Sequence, residues 1–236
     1  MSESKSLETP PLNHLGFIVD GNRRWARQRG LPDFQGHTKG LETLESIVRT
    51  GFDLGIQFIS LFIFSTDNWR RSRLEVNHLM RLFLKYFKTD SQRLLKEGIK
   101  FKIAGQLGEP ISEKIQKAAR SLEESSKNNT GPTLVLCFNY GGHTELVDMV
   151  KKIIQQKISP EQINLEIIRQ SLYHPDVPDL DLIIRTSGEQ RLSGFQLWRA
   201  SYSELLFINK YWPDFTSEDL KQALAEYSQR HRRFGG

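Results

Sequence analysis

The chain has 236 residues, of which 38% are hydrophobic and 26% charged, with 33 Lys and Arg against 28 Asp and Glu for a formal net charge of +5. These proportions exclude a disordered chain, a collagen-like repeat and a chain embedded in lipid. The single cysteine, Cys137, excludes an internal disulfide and any cysteine-based zinc cluster.

Residues 1–13 are polar and carry prolines but no apolar core of a signal peptide, so they read as a disordered N-terminal tail. Residues 14–236 read as one domain. Short apolar runs follow at Leu15–Val19, Phe58–Phe64, Phe101–Ala104, Thr133–Phe138, Leu182–Arg185 and Leu205–Ile208. Helical spacing separates them at Gly40–Leu54, Glu75–Leu95, 112–127, 143–157, 161–172 and 216–230. Unbroken apolar strands alternating with helices predict one α/β domain. Its sheet is mostly parallel and six-stranded, with helices on both faces. The longest apolar run, Ile56–Phe64, is interrupted by Gln57 and Ser60 and falls far short of the roughly 18–20 residues of a membrane span. Cysteine usage and the missing leader fit a reducing, cytoplasmic setting.

The segments after the predicted strands carry the chemistry. Asp20-Gly21-Asn22-Arg23-Arg24-Trp25 follows the first strand and Ser65-Thr66-Asp67-Asn68-Trp69-Arg70-Arg71 the second. Asn139-Tyr140-Gly141-Gly142 follows the fourth, and Thr186-Ser187-Gly188-Glu189-Gln190-Arg191-Leu192-Ser193 the fifth, which ends at Arg185. Ligands of open parallel sheets bind beyond the carboxyl ends of the strands. Gly, Asn, Ser, Thr and Arg converging there form a phosphate-binding inventory. Gly21 and Asn22 allow a tight turn into a helix whose first N–H groups suit an anion, and Arg24 adds a forked contact. Asp20 beside a phosphate has two readings: a Mg²⁺ ligand or an N-cap of the helix. Neither G-x-x-x-x-G-K-[ST] nor G-x-G-x-x-G follows a strand, which argues against both common nucleotide cradles. H-E-x-x-H and D-D-x-x-D are also absent.

Read in order, H-L-G-F-I-V-D-G-N-R-R-W-A (14–26), G-H-T-K-G (36–40), F-S-T-D-N-W-R-R (64–71), E-V-x-x-L-M (75–80), N-T-G (129–131), N-Y-G-G (139–142), R-T-S-G-E-Q-R-L-S-G-F-Q-L-W (185–198), S-E-L-L-F (203–207), W-P-D-F (212–215) and R-R-F-G-G (232–236) resemble the cis-prenyltransferases. This is the undecaprenyl diphosphate synthase family of isoprenyl transferases. The resemblance implies a Mg²⁺-assisted condensation of isopentenyl diphosphate onto an allylic diphosphate, usually farnesyl diphosphate, with a Z double bond and a medium-length product.

By the same resemblance, Asp20 is the catalytic carboxylate and metal ligand. Glu204 completes the metal site from beside the partner subunit's contacts. Gly21, Asn22, Arg23, Arg24 and His37 cradle the allylic diphosphate. Arg185, Arg191 and Ser193, with Leu192 between them, match the isopentenyl diphosphate site. Ser65, Thr66, Asp67, Asn68, Trp69, Arg71 and Glu75 lie on a segment expected to close over the substrates. Asn68 matches the residue assigned to proton removal, but a neutral amide is a poor base, and a substrate diphosphate oxygen is the alternative acceptor. Trp25 and Trp69 are expected to cover the allylic chain and exclude water. Leu79, Met80, Leu82, Phe83, Phe87 and Leu94 supply apolar surface for a core and for a chain-holding groove. Arg233 and Gly235 match a terminal element that reaches the other subunit's site, which implies a homodimer. A lipid product implies transient, peripheral membrane contact.

Four positions depart from the family pattern. Arg23 stands where glycine is common, Ser72 where proline is, and Gly194 where asparagine is. Asp33 stands where a diphosphate-binding arginine is common. Either Arg23 supplies the missing charge, or Asp33 points to solvent. These departures leave room for a related prenyltransferase with a short or differently joined product. A nucleic-acid module, suggested by the basic pI of about 9.3, is disfavoured because Asp20 and Glu204 would repel a phosphate backbone.

Overall fold

The computed structural model describes residues 12–230. Six strands form one sheet: β1 (His14–Ile18), β2 (Phe58–Ser65), β3 (Lys100–Ala104), β4 (Thr133–Tyr140), β5 (Leu182–Thr186) and β6 (Glu204–Ile208). All five pairings are parallel, and the order is β3-β4-β2-β1-β5-β6. The chain leaves β1 toward β2 and later returns to β1's other side as β5. The crevice between β1 and β5 is therefore the switch point, where α/β sheets place ligands. All six predicted strands are present. β4 runs two residues further than its apolar run, because buried Asn139 and Tyr140 continue it.

Alternation along β1 sends Leu15 and Phe17 to one face and Gly16 and Ile18 to the other. The first face is covered by α2 (Asp33–Asp53), α3 (Arg73–Lys85), α5 (Glu113–Ser126) and α8 (Ser217–Ser228). Leu44, Ile47, Phe83, Leu122 and Leu220 meet the strands there in the main core. The second face is covered by α6 (Gly142–Gln155), α7 (Leu165–Ser171) and the irregular segment 173–203, through Val177, Leu180 and Phe195. That segment lies close to β1. A Cβ on Gly16 would sit 2.8 Å from Phe195 Cε1 and 2.9 Å from Leu180 Cδ2.

The helix predicted over Glu75–Leu95 is interrupted. A π-helical turn at Tyr86–Asp90 separates α3 from α4 (Gln92–Lys96), with the Ser91 N–H donating to the Tyr86 carbonyl. Tyr86 and Phe87 at the start of this turn are both buried. The segment predicted over 161–172 begins as a 3₁₀ turn at Pro160–Gln162. Its helix, α7, starts only where the Asn164 side chain caps the Ile167 N–H. Asn13, assigned from sequence to the tail, is held at its last position, since its N–H donates to Asp181 at 2.9 Å. Residues 1–11 lie outside the described residues. No described helix is long and apolar enough to cross a membrane.

Two buried polar clusters brace the fold outside the cleft. Arg199 and Glu145, each 3% exposed, approach to 3.5 Å. The Arg199 guanidinium also donates to the carbonyls of Tyr173, His174 and Val177, so the pair has the extra hydrogen bonds that a buried ion pair requires. Fully buried His14 sits between the Pro178 carbonyl and the Ser60 hydroxyl, each 2.8 Å away. Burial holds its pKa down at about 4, against 6.5 for an ordinary histidine. The unfolded chain therefore takes up this proton at a higher pH than the folded chain does. Stability is lost as pH falls from about 6.5 toward 4, by up to roughly 3 kcal/mol at 1.36 kcal/mol per unit. Urea unfolding at pH 7 and pH 4.5 should show this loss in the wild type, and His14→Gln should lack that share of it; equal losses in both would contradict the assignment.

Candidate active site

β1 delivers its chain to the crevice with Asp20 two residues past the strand end. The Asp20 N–H donates to Thr186 Oγ1 at 3.0 Å, and that hydroxyl donates to the Asp20 carbonyl at 2.8 Å. This clip fixes the backbone of β1 against the end of β5. Asp20 Oδ2 accepts from Arg185 Nη2 at 2.9 Å, Oδ1 accepts from the Gly21 N–H at 2.7 Å, and Arg24 Nη2 lies 3.3 Å from Oδ1. The N-cap of α1 (Asn22–Gln28) is Gly21, and no side chain caps it. The capping reading of Asp20 is thereby corrected: its carboxylate holds arginines and leaves the N–H groups deeper in the helix free of it. α1 has only seven residues, so arginines rather than a helix dipole supply most of the local positive charge.

Gly21 has φ +100°, a conformation open mainly to glycine, and a Cβ there would meet the Tyr211 ring at 2.7 Å. Gly36 and Gly40 let α2 lie directly on the first turn of α1, where a Cβ would come within 1.9 Å of the Asn22 carbonyl and 2.3 Å of Asn22 Oδ1. For this reason α2 begins at Asp33 and not at Gly40, where its apolar pattern starts.

The resulting cleft has a volume of about 510 Å³. From the sequence-predicted residues it is lined by Asp20, Gly21, Asn22, Arg23, Arg24, His37, Ser65, Asn68, Arg71, Arg185 and Ser193. The basic side chains in and beside it fall into two groups, each braced by acids. Around Asp20 and Glu189, Arg185 donates to Ser193 Oγ at 2.8 Å and to the Arg191 carbonyl, while Arg24 and Arg191 lie 3.0 and 2.6 Å from Glu189. Around Glu75, His37 lies at 3.1 Å, Arg71 at 3.0 Å and Arg23 at 3.7 Å. Burial pushes the Glu75 carboxyl up, but the His37 hydrogen bond and the two arginines outweigh it and hold the pKa below the usual range. Arg185 Nε, Ser187 Oγ and Asn22 Oδ1 are buried without a partner. Unsatisfied buried groups of this kind are costly, and two of these three residues, Arg185 and Asn22, line the cleft.

Other predicted site residues lie elsewhere. Trp25 faces away from the cleft, with Nε1 donating to Asp214 at 2.7 Å and Arg29 stacked on its ring at 4.5 Å. Trp69 packs edge-on against Phe64 and donates to Asn139 Oδ1 at 2.7 Å. Neither indole lines the cleft; Phe62, Ile63 and Leu79 form its apolar wall instead. Thr66 lies against Gly141, Leu192 packs into the second core, and Asp67 is exposed. Asp33 is outside the lining of the cleft, with its side chain 28% exposed, and pairs with Arg23 at 3.0 Å and Arg27 at 2.8 Å; it does not simply point to solvent, and Arg23, which itself lines the cleft, is one of its two partners. Glu204 opens β6 opposite Leu182, which is opposite Leu15. Five residues at about 3.3 Å each and two strand spacings of about 4.8 Å place it on the order of 19 Å from Asp20, toward the other end of the sheet. There it pairs with Arg230 at 3.0 Å. Arg233 and Gly235 lie outside the described residues. Sequence reasoning missed Arg27 and Glu189. Arg27 was detectable as i+4 from Arg23 on one helix face, and Glu189 sits inside the quoted 185–198 string.

The cleft opens into a narrow apolar pocket of about 50 Å³. The two share Val19, Asn22, His37, Ile63 and Leu79. Leu82 and Phe83 continue the pocket wall as the sequence suggested, whereas Phe87 and Leu94 belong to the core. A cationic cleft joined to a hydrocarbon-lined pocket suits an amphiphile with an anionic head.

Relaxing the Gly21 turn should be costly. Gly21→Ala is expected to destabilise the fold by about 1–3 kcal/mol, from positive-φ strain plus the Tyr211 clash. In a double-mutant cycle on urea unfolding, Tyr211→Ala should recover only the clash; no loss for Gly21→Ala alone would contradict the geometry.

Comparison with known proteins identifies the family. Residues 18–235 match the prenyltransferase family model described as "Putative undecaprenyl diphosphate synthase". An isoprenyl transferase of Thermotoga maritima is 46% identical over 94% of this chain and 96% of its own. The (2E,6E)-farnesyl-diphosphate-specific ditrans,polycis-undecaprenyl-diphosphate synthase of Micrococcus luteus is 40% identical over 94% and 91%. The crystal structure of lavandulyl diphosphate synthase from Lavandula x intermedia, in complex with dimethylallyl diphosphate, superposes with a TM-score of 0.91 at 33% identity, covering 95% of this chain and 98% of that one. The chain belongs to the undecaprenyl diphosphate synthase family of cis-prenyltransferases.

Proposed function

We propose that this enzyme condenses isopentenyl diphosphate onto an allylic diphosphate, with farnesyl diphosphate as primer. In this reading the reaction is Mg²⁺-dependent and Z-specific, and the product is a medium-length polyprenyl diphosphate such as undecaprenyl diphosphate. The observation that carries the reading is the junction of two arginine groups with an apolar pocket at the β1/β5 crevice. The pocket joins the cleft on the His37–Glu75 side, so the allylic substrate places its head there and its hydrocarbon between α2 and α3. The Arg185–Ser193 side then receives isopentenyl diphosphate. Each charge-assisted contact to a diphosphate contributes roughly 1.5–3 kcal/mol, and buried Arg185 is the strongest candidate for one.

The fit of Mg²⁺ is conditional. Among the described residues no group of three or more His, Cys, Asp or Glu could hold a metal, and both Asp20 oxygens face arginines. Mg²⁺ is commonly held by one or two carboxylates with substrate phosphates and water. A dication at Asp20 therefore requires a diphosphate to take over Arg185 and Arg24. When bound, the ion would neutralise the allylic diphosphate and assist its departure. Glu204 can join this site only from a second copy of the chain, so its metal role and the homodimer stand or fall together. Val147, Val150 and Ile154, exposed along one face of α6, offer apolar surface for such a partner. Asn68 lines the cleft with its Oδ1 already accepting the Ser65 N–H at 3.2 Å. In this reading it orients the substrate, and a diphosphate oxygen takes the proton. The likeness to lavandulyl diphosphate synthase keeps a second reading, a short or differently joined product. Cytoplasmic residence with peripheral membrane contact belongs to this reading: the lipid product is delivered to a membrane, and no described helix is long and apolar enough to span one.

Farnesyl diphosphate, labelled isopentenyl diphosphate and Mg²⁺ should yield a product of several added isoprene units on chromatographic sizing. Asp20→Ala should lower turnover by at least about a hundredfold; a single addition would favour the second reading, and full activity without Asp20 would refute the site. Removing the last five residues should cut turnover sharply while leaving thermal unfolding unchanged, and full activity would refute a shared site.

A further inference from the structure

We propose that Arg27 is a diphosphate-binding side chain and that Asp33 is the positioning residue that aims it, together with Arg23, into the cleft. The inference rests on the diphosphate reading above and adds residues that reading does not use.

An acid near a diphosphate should weaken binding, yet Asp33 is not exposed to the cleft. Arg23 and Arg27 line it, one helical turn apart on the same face of α1. Asp33 stands behind them in the first turn of α2, immediately after Pro32. Its Oδ1 accepts from Arg27 Nε at 2.8 Å, and its Oδ2 accepts from Arg27 Nη2 at 2.8 Å and Arg23 Nε at 3.0 Å. The carboxylate thus grips the Nε-bearing edge of both guanidinium groups. Nη1 of Arg27 and the Nη atoms of Arg23 remain outside its grip. Two cations around one anion keep a net positive charge, and hydrogen bonds from both arginines hold the Asp33 pKa below the usual carboxylate range.

The arrangement lowers the entropic cost of binding. An unrestrained arginine on a surface helix loses up to about 2 kcal/mol of rotamer freedom when a ligand orders it. Arg27 is 60% exposed, so without Asp33 it would carry most of that cost. The fork-to-fork contact orders it beforehand. Arg23 also lies 3.7 Å from Glu75, which His37 contacts. That is the side where the cleft meets the apolar pocket, so the ligand is the diphosphate bearing the longer hydrocarbon tail.

Repulsion and positioning predict opposite signs for one substitution. If Asp33 merely repels the ligand, Asp33→Asn tightens binding. If it positions the arginines, Asp33→Asn weakens binding although it removes a negative charge. KM values for farnesyl and isopentenyl diphosphate, and titration calorimetry with the unreactive farnesyl thiodiphosphate, test this on the full chain. Arg27→Ala should raise the farnesyl diphosphate KM and the thiodiphosphate Kd about tenfold, with kcat and the isopentenyl diphosphate KM within about twofold. Arg27→Lys should recover part of the loss, and Asp33→Asn should raise the same two constants about three- to tenfold. Lys39→Ala, which removes an exposed cation paired with Glu42, should change neither. Unchanged constants for Arg27→Ala, tighter binding for Asp33→Asn, or an equal effect from Lys39→Ala would each overturn the proposal. If the wild type binds the thiodiphosphate but does not turn over, the elongation reading fails, and the calorimetric series still decides the clamp. If it neither turns over nor binds, both fail.

Discussion

Everything at this site depends on the ion pair between Arg185 and Asp20. Arg185 is 4% exposed at the end of β5, and a buried guanidinium needs an anion beside it. Asp20 is that anion at 2.9 Å, held in place by the two hydrogen bonds between its backbone and Thr186. The pair spans the point where the chain order in the sheet reverses, so the parallel topology itself brings the two charges together. Asp20 is 30% exposed in its side chain while Arg185 is nearly dry. An incoming anion can therefore take over the arginine, and a cation can take over the carboxylate, without an uncompensated charge appearing.

The same logic is repeated around the cleft. Arg24 and Arg191 lean on Glu189; Arg23, Arg71 and His37 lean on Glu75; and Arg23 and Arg27 lean on Asp33. Like charges are concentrated where an anionic ligand belongs, and acids behind them keep the unliganded fold from repelling itself. Backbone contact does the rest. Gly36 and Gly40 allow α2 to rest on the Asn22 peptide, which brings His37 to the junction of the cationic cleft and the apolar pocket.

Much of this was legible in the sequence, for identifiable reasons. The central strands β1, β4 and β5 are buried throughout and read as unbroken apolar runs; β2, β3 and β6, although partly exposed, keep enough apolar residues to be visible too, and the polar residues after the strands marked the ligand side. Helix limits were less legible where packing overrode pattern. α2 starts early, where Gly36 and Gly40 face backbone rather than core, and a π-helical turn at Tyr86–Asp90 ends α3 within one continuous apolar pattern. Side-chain direction was not legible at all. Trp25 and Trp69 sit within cleft-forming strings but turn toward Asp214 and Asn139, and Glu204 is separated from Asp20 by the register of β5 and β6. Asp33 looked like a flaw from its charge alone. Its role emerged only with the three hydrogen bonds it accepts.

Under the proposed function, the Asp20–Arg185 pair exchanges for a metal and a diphosphate. The most direct test is a crystal structure of the chain with Mn²⁺ in place of Mg²⁺ and farnesyl thiodiphosphate, with the ion located by anomalous scattering. The account predicts the ion within ligand distance of an Asp20 carboxylate oxygen, with Arg185 turned away from Asp20 onto a phosphate. An ion bound elsewhere, with the 2.9 Å Asp20–Arg185 contact intact beside the ligand, would contradict it.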